Sequence, residues 1–204
     1  MAAPDLPHLP ALFEPETDRL RMRSWLPSDR EPFAELNADP EVMRYFPGVQ
    51  SRDESDAFAD RIAARMAELG YGLWALEVKG TSEFIGFTGL NPMPEDVPGA
   101  GSIEVGWRLA RSAWGQGYAT EAGRAALSVA FDQAGFDEVW SLTATINAPS
   151  RAVMDRLGLR HVATQPHPAL DPASPISEHV FYRITRPEYH RVVRPCGRSG
   201  DHTV

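Results

Sequence analysis

The chain has 204 residues, 43% of them hydrophobic and 24% charged, with a formal net charge of −8, which suits one well-buried globular domain and excludes a disordered or fibrous chain. The acidic balance argues against general nucleic-acid binding, which relies on clustered Lys and Arg, and leaves room for a cationic substrate. No apolar run reaches the roughly 18 residues of a membrane span, the first dozen residues lack a secretory pattern, and the one cysteine, Cys196, lies in a polar tail, so a cytoplasmic protein without membrane contact, internal disulfide or metal is expected.

Residues 1–14 and 194–204 read as flexible tails around one domain at 15–193. Arg19-Leu-Arg-Met-Arg-Ser-Trp25 alternates polar with apolar residues and predicts the first strand. Ser28 and Glu31 have capping-box spacing, and Asp39-Pro40 offers a cap with proline at the first helical position, so short helices are expected next. Phe58, Ile62, Met66 and Leu69 recur at helical spacing before Gly70, predicting an amphipathic helix over 53–69. The runs 72–78 and 84–90, joined by Lys79-Gly-Thr-Ser-Glu83, read as a hairpin; a Pro- and Gly-rich loop over 91–101 leads to a third run over 103–109. A continuous apolar stripe from Ala119 to Ala134, stopped by Gly135, predicts the most regular helix. A strand over 138–144, a helix from Pro149 to Leu157 closed by Gly158, an exposed loop over 164–177 and a strand over 179–184 follow. The order describes a mixed sheet with helices on its faces.

Between the third run and the most regular helix lies Arg111-Ser-Ala-Trp-Gly-Gln-Gly-Tyr-Ala-Thr-Glu-Ala122. A helix start presents unpaired N–H groups and the positive end of the helix dipole, and glycines there let an anion approach without meeting a Cβ. A tight turn or cap would use the same glycines. The stretch is neither a P-loop nor a dinucleotide fingerprint, because it has no Gly-Lys-Ser/Thr and Thr120 stands where the third glycine belongs.

Trp114-Gly-Gln-Gly117-Tyr-Ala119, the opening Glu16-Thr-Asp-Arg-Leu-Arg-Met-Arg23 and Asn147-Ala-Pro-Ser-Arg-Ala-Val-Met-Asp-Arg-Leu-Gly158 resemble the GNAT superfamily of acyl-CoA-dependent N-acyltransferases, in a branch similar to the RimJ and RimL enzymes. Trp114 departs from the Gln or Arg that usually opens the superfamily's CoA motif. The resemblance implies a GNAT fold of the α/β (α+β) class: a mostly antiparallel mixed sheet of six to seven strands flanked by about four helices. It also implies acetyl-CoA as co-substrate. The pyrophosphate would be held by Trp114, Gly115, Gln116, Gly117, Tyr118, Ala119 and Thr120, and the pantetheine arm by main-chain groups of Trp107, Leu109 and Ala110. Asn147 and Ser150 match CoA-contacting positions, although both also suit a helix cap.

Acetyl transfer to an amine needs a neutral amine, support for a developing oxyanion and a proton for the leaving thiolate. Glu104, on the strand before the CoA motif, is the candidate base, with an exposed structural carboxylate as the alternative. Glu121 reads as a first-turn acid complementing the helix dipole. The acid many superfamily members supply as tyrosine is missing between Asn147 and Gly158, and Ser150 is the matching substitute. An N–H near Leu109 or Ala110 would meet the oxyanion. His161, His167 and His179 carry no partner pattern. The expected activity is N-acetylation of a primary amine, at a protein N-terminus or on a small molecule, by direct attack. The alternative is a catalytically silent acyl-CoA sensor. A homodimer through strand edges near the C-terminus is left open.

Overall fold

The computed structural model describes residues 6–193. Seven strands form one mixed sheet in the order β1-β2-β3-β4-β5-β7-β6: β1 Leu20–Arg23, β2 Leu73–Val78, β3 Glu83–Pro92, β4 Ile103–Leu109, β5 Glu138–Ala144, β6 Arg160–Pro166 and β7 Glu178–Thr185. Six α-helices accompany them among the described residues: α1 Arg30–Ala38, α2 Pro40–Met43, α3 Arg52–Leu69, α4 Tyr118–Ser128, α5 Ala148–Arg156 and α6 Arg186–Val193. No described helix is long and apolar enough to cross a membrane. All neighbouring strands run antiparallel except β4 and β5.

Alternation divides the side chains between two faces. One face carries Leu20, Met22, Trp74, Leu76, Leu90, Ile103 and Val105, all fully buried, under α4, which packs on β3 and β4. The other carries Phe87 and Arg108 under α1 and α3. There Trp25, Phe33, Phe58, Phe84 and Phe87 form edge-to-face and tilted ring pairs with centroids 4.7 to 6.4 Å apart, each worth about 0.5–1.5 kcal/mol beyond area burial. A second cluster on this face, Met93, Val97, Trp140 and Phe181, anchors the loop between β3 and β4.

The α3 helix follows its expectation: Ser51 accepts from the Glu54 N–H, Glu54 bonds back to the Ser51 N–H (2.8 Å), and Gly70 stops the helix at φ 77. Asp39 likewise caps α2, accepting from the Glu41 N–H. The expected Ser28 capping box does not form. Pro27 starts a 3-10 turn, and Asp29, gripped by Arg23 at 2.7 and 3.0 Å, accepts the Leu26 N–H while Glu31 pairs with Arg52.

The long apolar stripe is also not one uniform helix. After Ser128 it widens into a π turn, with the Ala134 N–H on the Val129 carbonyl, and this turn stacks Phe131 on Tyr189 of α6 at 4.7 Å.

The expected 164–177 loop begins only after Pro166, because β6 forms an exposed edge strand on β7. α6 was not expected either; Thr185 and Glu188 cap it, the carboxylate accepting from the Thr185 N–H (3.0 Å) and hydroxyl (2.8 Å). Residues 6–14 differ most from the expected flexible tail. Leu6 is buried, Leu9 and Phe13 N–H groups donate to the Leu69 and Gly70 carbonyls, and the Tyr71 hydroxyl and Trp74 indole donate to Pro7 and Phe13 carbonyls. The tail at 194–204, with Cys196, lies outside the described residues.

The parallel pair positions the site. β4 and β5 are in register at Ile103↔Val139 and Glu104↔Trp140, and no further partners follow among the described residues. Just past that point the Ser141 hydroxyl, 2% exposed, donates to the Val105 carbonyl at 2.8 Å. A side chain thus takes the place of the next ladder bond. Ser141→Ala would leave this buried carbonyl unpaired, so urea unfolding should show a loss of about 1–3 kcal/mol; an unchanged midpoint would contradict the wedge role.

Candidate active site

The Ala110 N–H donates to the Ile85 carbonyl at 2.9 Å, beside the Gly86↔Leu109 pair. Antiparallel alternation then turns the backbone groups of Glu104, Gly106 and Arg108 toward β3, and those of Val105, Trp107 and Leu109 toward the opening beside β5. The Ala110 carbonyl accepts from the Ala113 N–H. Both backbone groups of Ala110 are therefore occupied, whereas Trp107 and Leu109 face the opening.

At the end of β4 the chain turns through Arg111–Ala113 into the Trp114-Gly-Gln-Gly stretch. The Trp114 indole donates to the Leu109 carbonyl at 2.9 Å, tying the loop back to the strand although the residue is 43% exposed. Gly115 and Gly117 have φ of 73 and 82, left-handed values that favour glycine. A Cβ on Gly115 would meet nothing within 4 Å, and one on Gly117 only the Arg19 guanidinium at 3.5 Å. Gly117 is the N-cap of α4 and supplies no side chain; the first backbone bond runs from the Glu121 N–H to its carbonyl. The N–H groups of Tyr118, Ala119 and Thr120 are thus left without helical acceptors, at the positive end of the dipole. The Gln116 side-chain amide donates to the Ser112 carbonyl at 2.9 Å, which braces the turn.

Behind this turn lies a network absent from the sequence-derived site. Arg19 donates to the Gln116 carbonyl (2.9 Å), pairs with Glu121 (2.5 Å) and lies over the Tyr118 ring (4.6 Å). Glu121 also accepts from the Thr17 hydroxyl (2.6 Å) and Arg19 N–H (3.0 Å). Burial alone would raise its pKa, but these hydrogen bonds and the Arg19 charge outweigh it and lower it. Glu121 therefore locks the β1 entry to the helix start rather than only complementing a dipole. The available signal was the opening Thr17-Asp-Arg19 itself.

Glu104 stands where β4 and β5 begin to part, half-buried, and accepts one hydrogen bond from Asn91 Nδ2 at 3.1 Å. Burial pushes its carboxyl up to about 7, against the lowering effect of Asn91. A group poised there accepts a proton near neutrality.

Asn147 caps α5: its side chain accepts from the Ser150 N–H at 3.2 Å and donates to Thr143 at 2.8 Å. The Ser150 hydroxyl has no protein partner among the described residues. His161 pairs with Thr164 (2.8 Å), and His167 and His179 lie ring to ring at 5.0 Å in the β6–β7 region, outside the β4 opening. Among the described residues no group of three or more His, Cys, Asp or Glu is arranged to hold a metal.

On the Glu104 face, a cleft of about 410 Å³ lies between α3 and the ends of β2 and β3, lined in part by Phe58, Arg61, Arg65, Glu68, Leu73 and Asn91. Asn91 thus joins the cleft to Glu104.

Residues 19–160 match the family described as "Acetyltransferase (GNAT) domain". The chain is 36% identical to the FsC-acetyl coenzyme A-N(2)-transacetylase of Aspergillus fumigatus, over 81% of this chain and 73% of that protein. It is 32% identical to the uncharacterized protein YkkB of Bacillus subtilis, over 72% of this chain and 86% of that protein. In fold it is similar to an acetyltransferase (GNAT family) from Bacillus anthracis, with TM-score 0.73 and 21% identity over 86% of this chain and 99% of the other.

Glu121→Gln should cost about 0.5–1.5 kcal/mol at neutral pH, since the amide keeps one acceptor oxygen but loses the charge that faces the half-exposed Arg19. The folded-state pKa is depressed, so the parent's advantage is present above the unfolded value of about 4.3 and is lost as pH falls. Urea midpoints should therefore converge in acid; a constant gap down to pH 3 would contradict the charged lock.

Proposed function

Because the chain belongs to the GNAT acetyltransferase family, we propose that it transfers an acetyl group from acetyl-CoA to a primary amine by direct attack on the thioester, within the RimJ/RimL-like branch. One observation carries the reading: the β4 edge that opens at Glu104 leads, through Trp107 and Leu109, straight to the uncapped first turn of α4.

In this reading the pyrophosphate rests on the N–H groups of Tyr118, Ala119 and Thr120, with Gly115 and Gly117 giving it room and Gln116 and Trp114 fixing the turn. The pantetheine arm lies beside Trp107 and Leu109 as an added strand. Ala110 has both backbone groups spent and Leu109 its carbonyl, which leaves the Leu109 N–H and the Trp107 carbonyl for the arm. Asn147 serves by capping α5 and so holding Ser150 in place.

The residues then divide the chemistry. Glu104, poised near neutrality, takes the proton from the incoming ammonium directly or through water, leaving a lone pair for attack on the thioester carbon. The Trp107 N–H, on the edge that faces the opening and nearer to Glu104 than Leu109 is, supports the charge that develops on the carbonyl oxygen. The Ser150 hydroxyl donates toward the departing sulfur, whose solution pKa of about 8.5 makes strong assistance unnecessary. The acceptor is a protein N-terminus or a small-molecule amine; the relative from Aspergillus fumigatus is named for acetylation at an N(2) position.

Calorimetric titration with acetyl-CoA, followed by thiol release against amines and N-terminal peptides, tests the whole. Binding with release is the expected result. Binding without release on any acceptor would favour a silent acyl-CoA sensor, and no binding would sink the assignment of the α4 start.

Gly117→Val should weaken acetyl-CoA binding by tenfold or more, checked in the same titration on protein whose circular dichroism is unchanged; undiminished affinity would refute the cradle. Glu104→Gln should lower kcat about 10²- to 10⁴-fold with acetyl-CoA affinity retained. In the parent, kcat/KM should fall about tenfold per pH unit below about 7, because the base must be ionised. That limb should vanish in the variant, and a variant as active as the parent would remove Glu104 as base.

A further inference from the structure

We propose that the acceptor carries an oxyanionic group, a carboxylate or phosphate, in addition to its amine, and that Arg61 and Arg65 bind that group at the cleft beside Glu104. The inference rests on the transferase reading and names its substrate class.

Charge pairing points to it. The chain has 28 acidic and 20 basic residues, so a guanidinium has no shortage of carboxylates to meet. Six arginines lie between residues 30 and 65 or on β4. Three of them are matched: Arg30 with Asp56 and Asp60, Arg44 with Glu41, and Arg52 with Glu31 and Asp56. The other three, Arg61, Arg65 and Arg108, have no carboxylate within ion-pair reach among the described residues, and they cluster. Arg61 and Arg65 line the cleft. The Phe58 ring, also in its wall, has the guanidinium groups of Arg61 and Arg108 each at 5.6 Å. Arg108 is 9% exposed, donates to Asn37 Oδ1 at 2.6 Å, lies 4.2 Å from the Phe46 ring and leaves its Nε unpaired. Its charge is compensated by ring faces and one amide oxygen, so it adds positive potential in a region of low dielectric.

The opposing carboxylate in the cleft wall is Glu68 alone. A polycationic acceptor would therefore meet more like charge than unlike, against the expectation that a net negative protein favours a cationic substrate. The amine end has its own place. Asn91 lines the cleft and bonds to Glu104, and Gly106, between Glu104 and Arg108 on the same face, leaves open space where a Cβ would meet nothing within 4 Å. One end of a small zwitterion thus faces the base while the other faces the α3 guanidinium pair, whose planar donors match oxyanions bidentately.

The test is equilibrium titration of CoA-saturated protein with amines of matched chain length ending in carboxylate, phosphate, hydroxyl or a second amine. At least tenfold tighter binding of the carboxylate or phosphate amine is expected, the better of the two identifying the oxyanion. Arg61→Ala combined with Arg65→Ala should abolish that preference without changing acetyl-CoA affinity, and Arg61→Glu with Arg65→Glu should shift preference to the diamine. Equal or tighter binding of the diamine or amino alcohol by the parent overturns the proposal, as does an unaltered preference in the double variants. Loss of acetyl-CoA affinity in those variants would mean that the arginines serve the CoA phosphates, and overturns it too. Failure of the parent to bind acetyl-CoA at all overturns the transferase reading on which it rests.

Discussion

Two parallel strands that pair for only two residues set the terms for everything else in this protein. A parallel ladder that continued along β4 would consume the backbone groups of Val105, Trp107 and Leu109 and close the sheet. The Ser141 hydroxyl takes the Val105 carbonyl instead, satisfying a buried acceptor without bringing the β5 backbone alongside. The remaining groups face a gap that is bounded by sheet on one side and by the start of α4 on the other. Opening a sheet usually costs unsatisfied polar groups; here the first such group is matched by a side chain, and the last, the Leu109 carbonyl, by the Trp114 indole.

The two faces of the sheet then take different tasks. On one, α4 stands with its uncapped start at the mouth of the gap, held there by Arg19 and Glu121 across the interface between the β1 entry and the turn. On the other, α1 and α3 cover an aromatic cluster and enclose a buried guanidinium. Glu104 sits at the point where the two tasks meet, on the aromatic face of the strand whose opposite edge opens beside β5. In the proposed transferase reading, a thioester lying along the edge and an amine placed over the face would approach β4 from different directions, as direct attack requires.

Much of this was legible in the sequence where a local rule acts alone. Helix α3 announces itself by period and terminal glycine, the β2–β3 hairpin by its turn, and the uncapped turn into α4 by two glycines before a helical stripe. Glu104 could be placed by strand alternation. What was hidden depends on distant residues. Ser141 reaches Val105 across 36 positions, Arg108 reaches Asn37 across 71, and Arg19 reaches Glu121 across 102, and no local period encodes any of them. Strand β6 escaped for a different reason: an edge exposed on both faces has no apolar alternation to display. Helix α6 did carry a local signal, the Thr185 and Glu188 capping spacing, but its short polar pattern offered no stripe to draw attention to it.

The lacing of residues 6–14 onto α3 has a practical bearing on how the protein is handled. Leu9 and Phe13 supply donors to the Leu69 and Gly70 carbonyls, and Leu9 and Ala11 crowd the space where Gly70 would carry a side chain. The leader is therefore the outer clasp of the helix whose last turns hold Arg65 and Glu68. Trimming a recombinant version to start at the first strand would free the Leu69 and Gly70 carbonyls and fray the final turn of α3, so that deleted residues which do not line the cleft would still loosen its Arg65 and Glu68 wall. Domain boundaries for expression are best drawn ahead of Leu6.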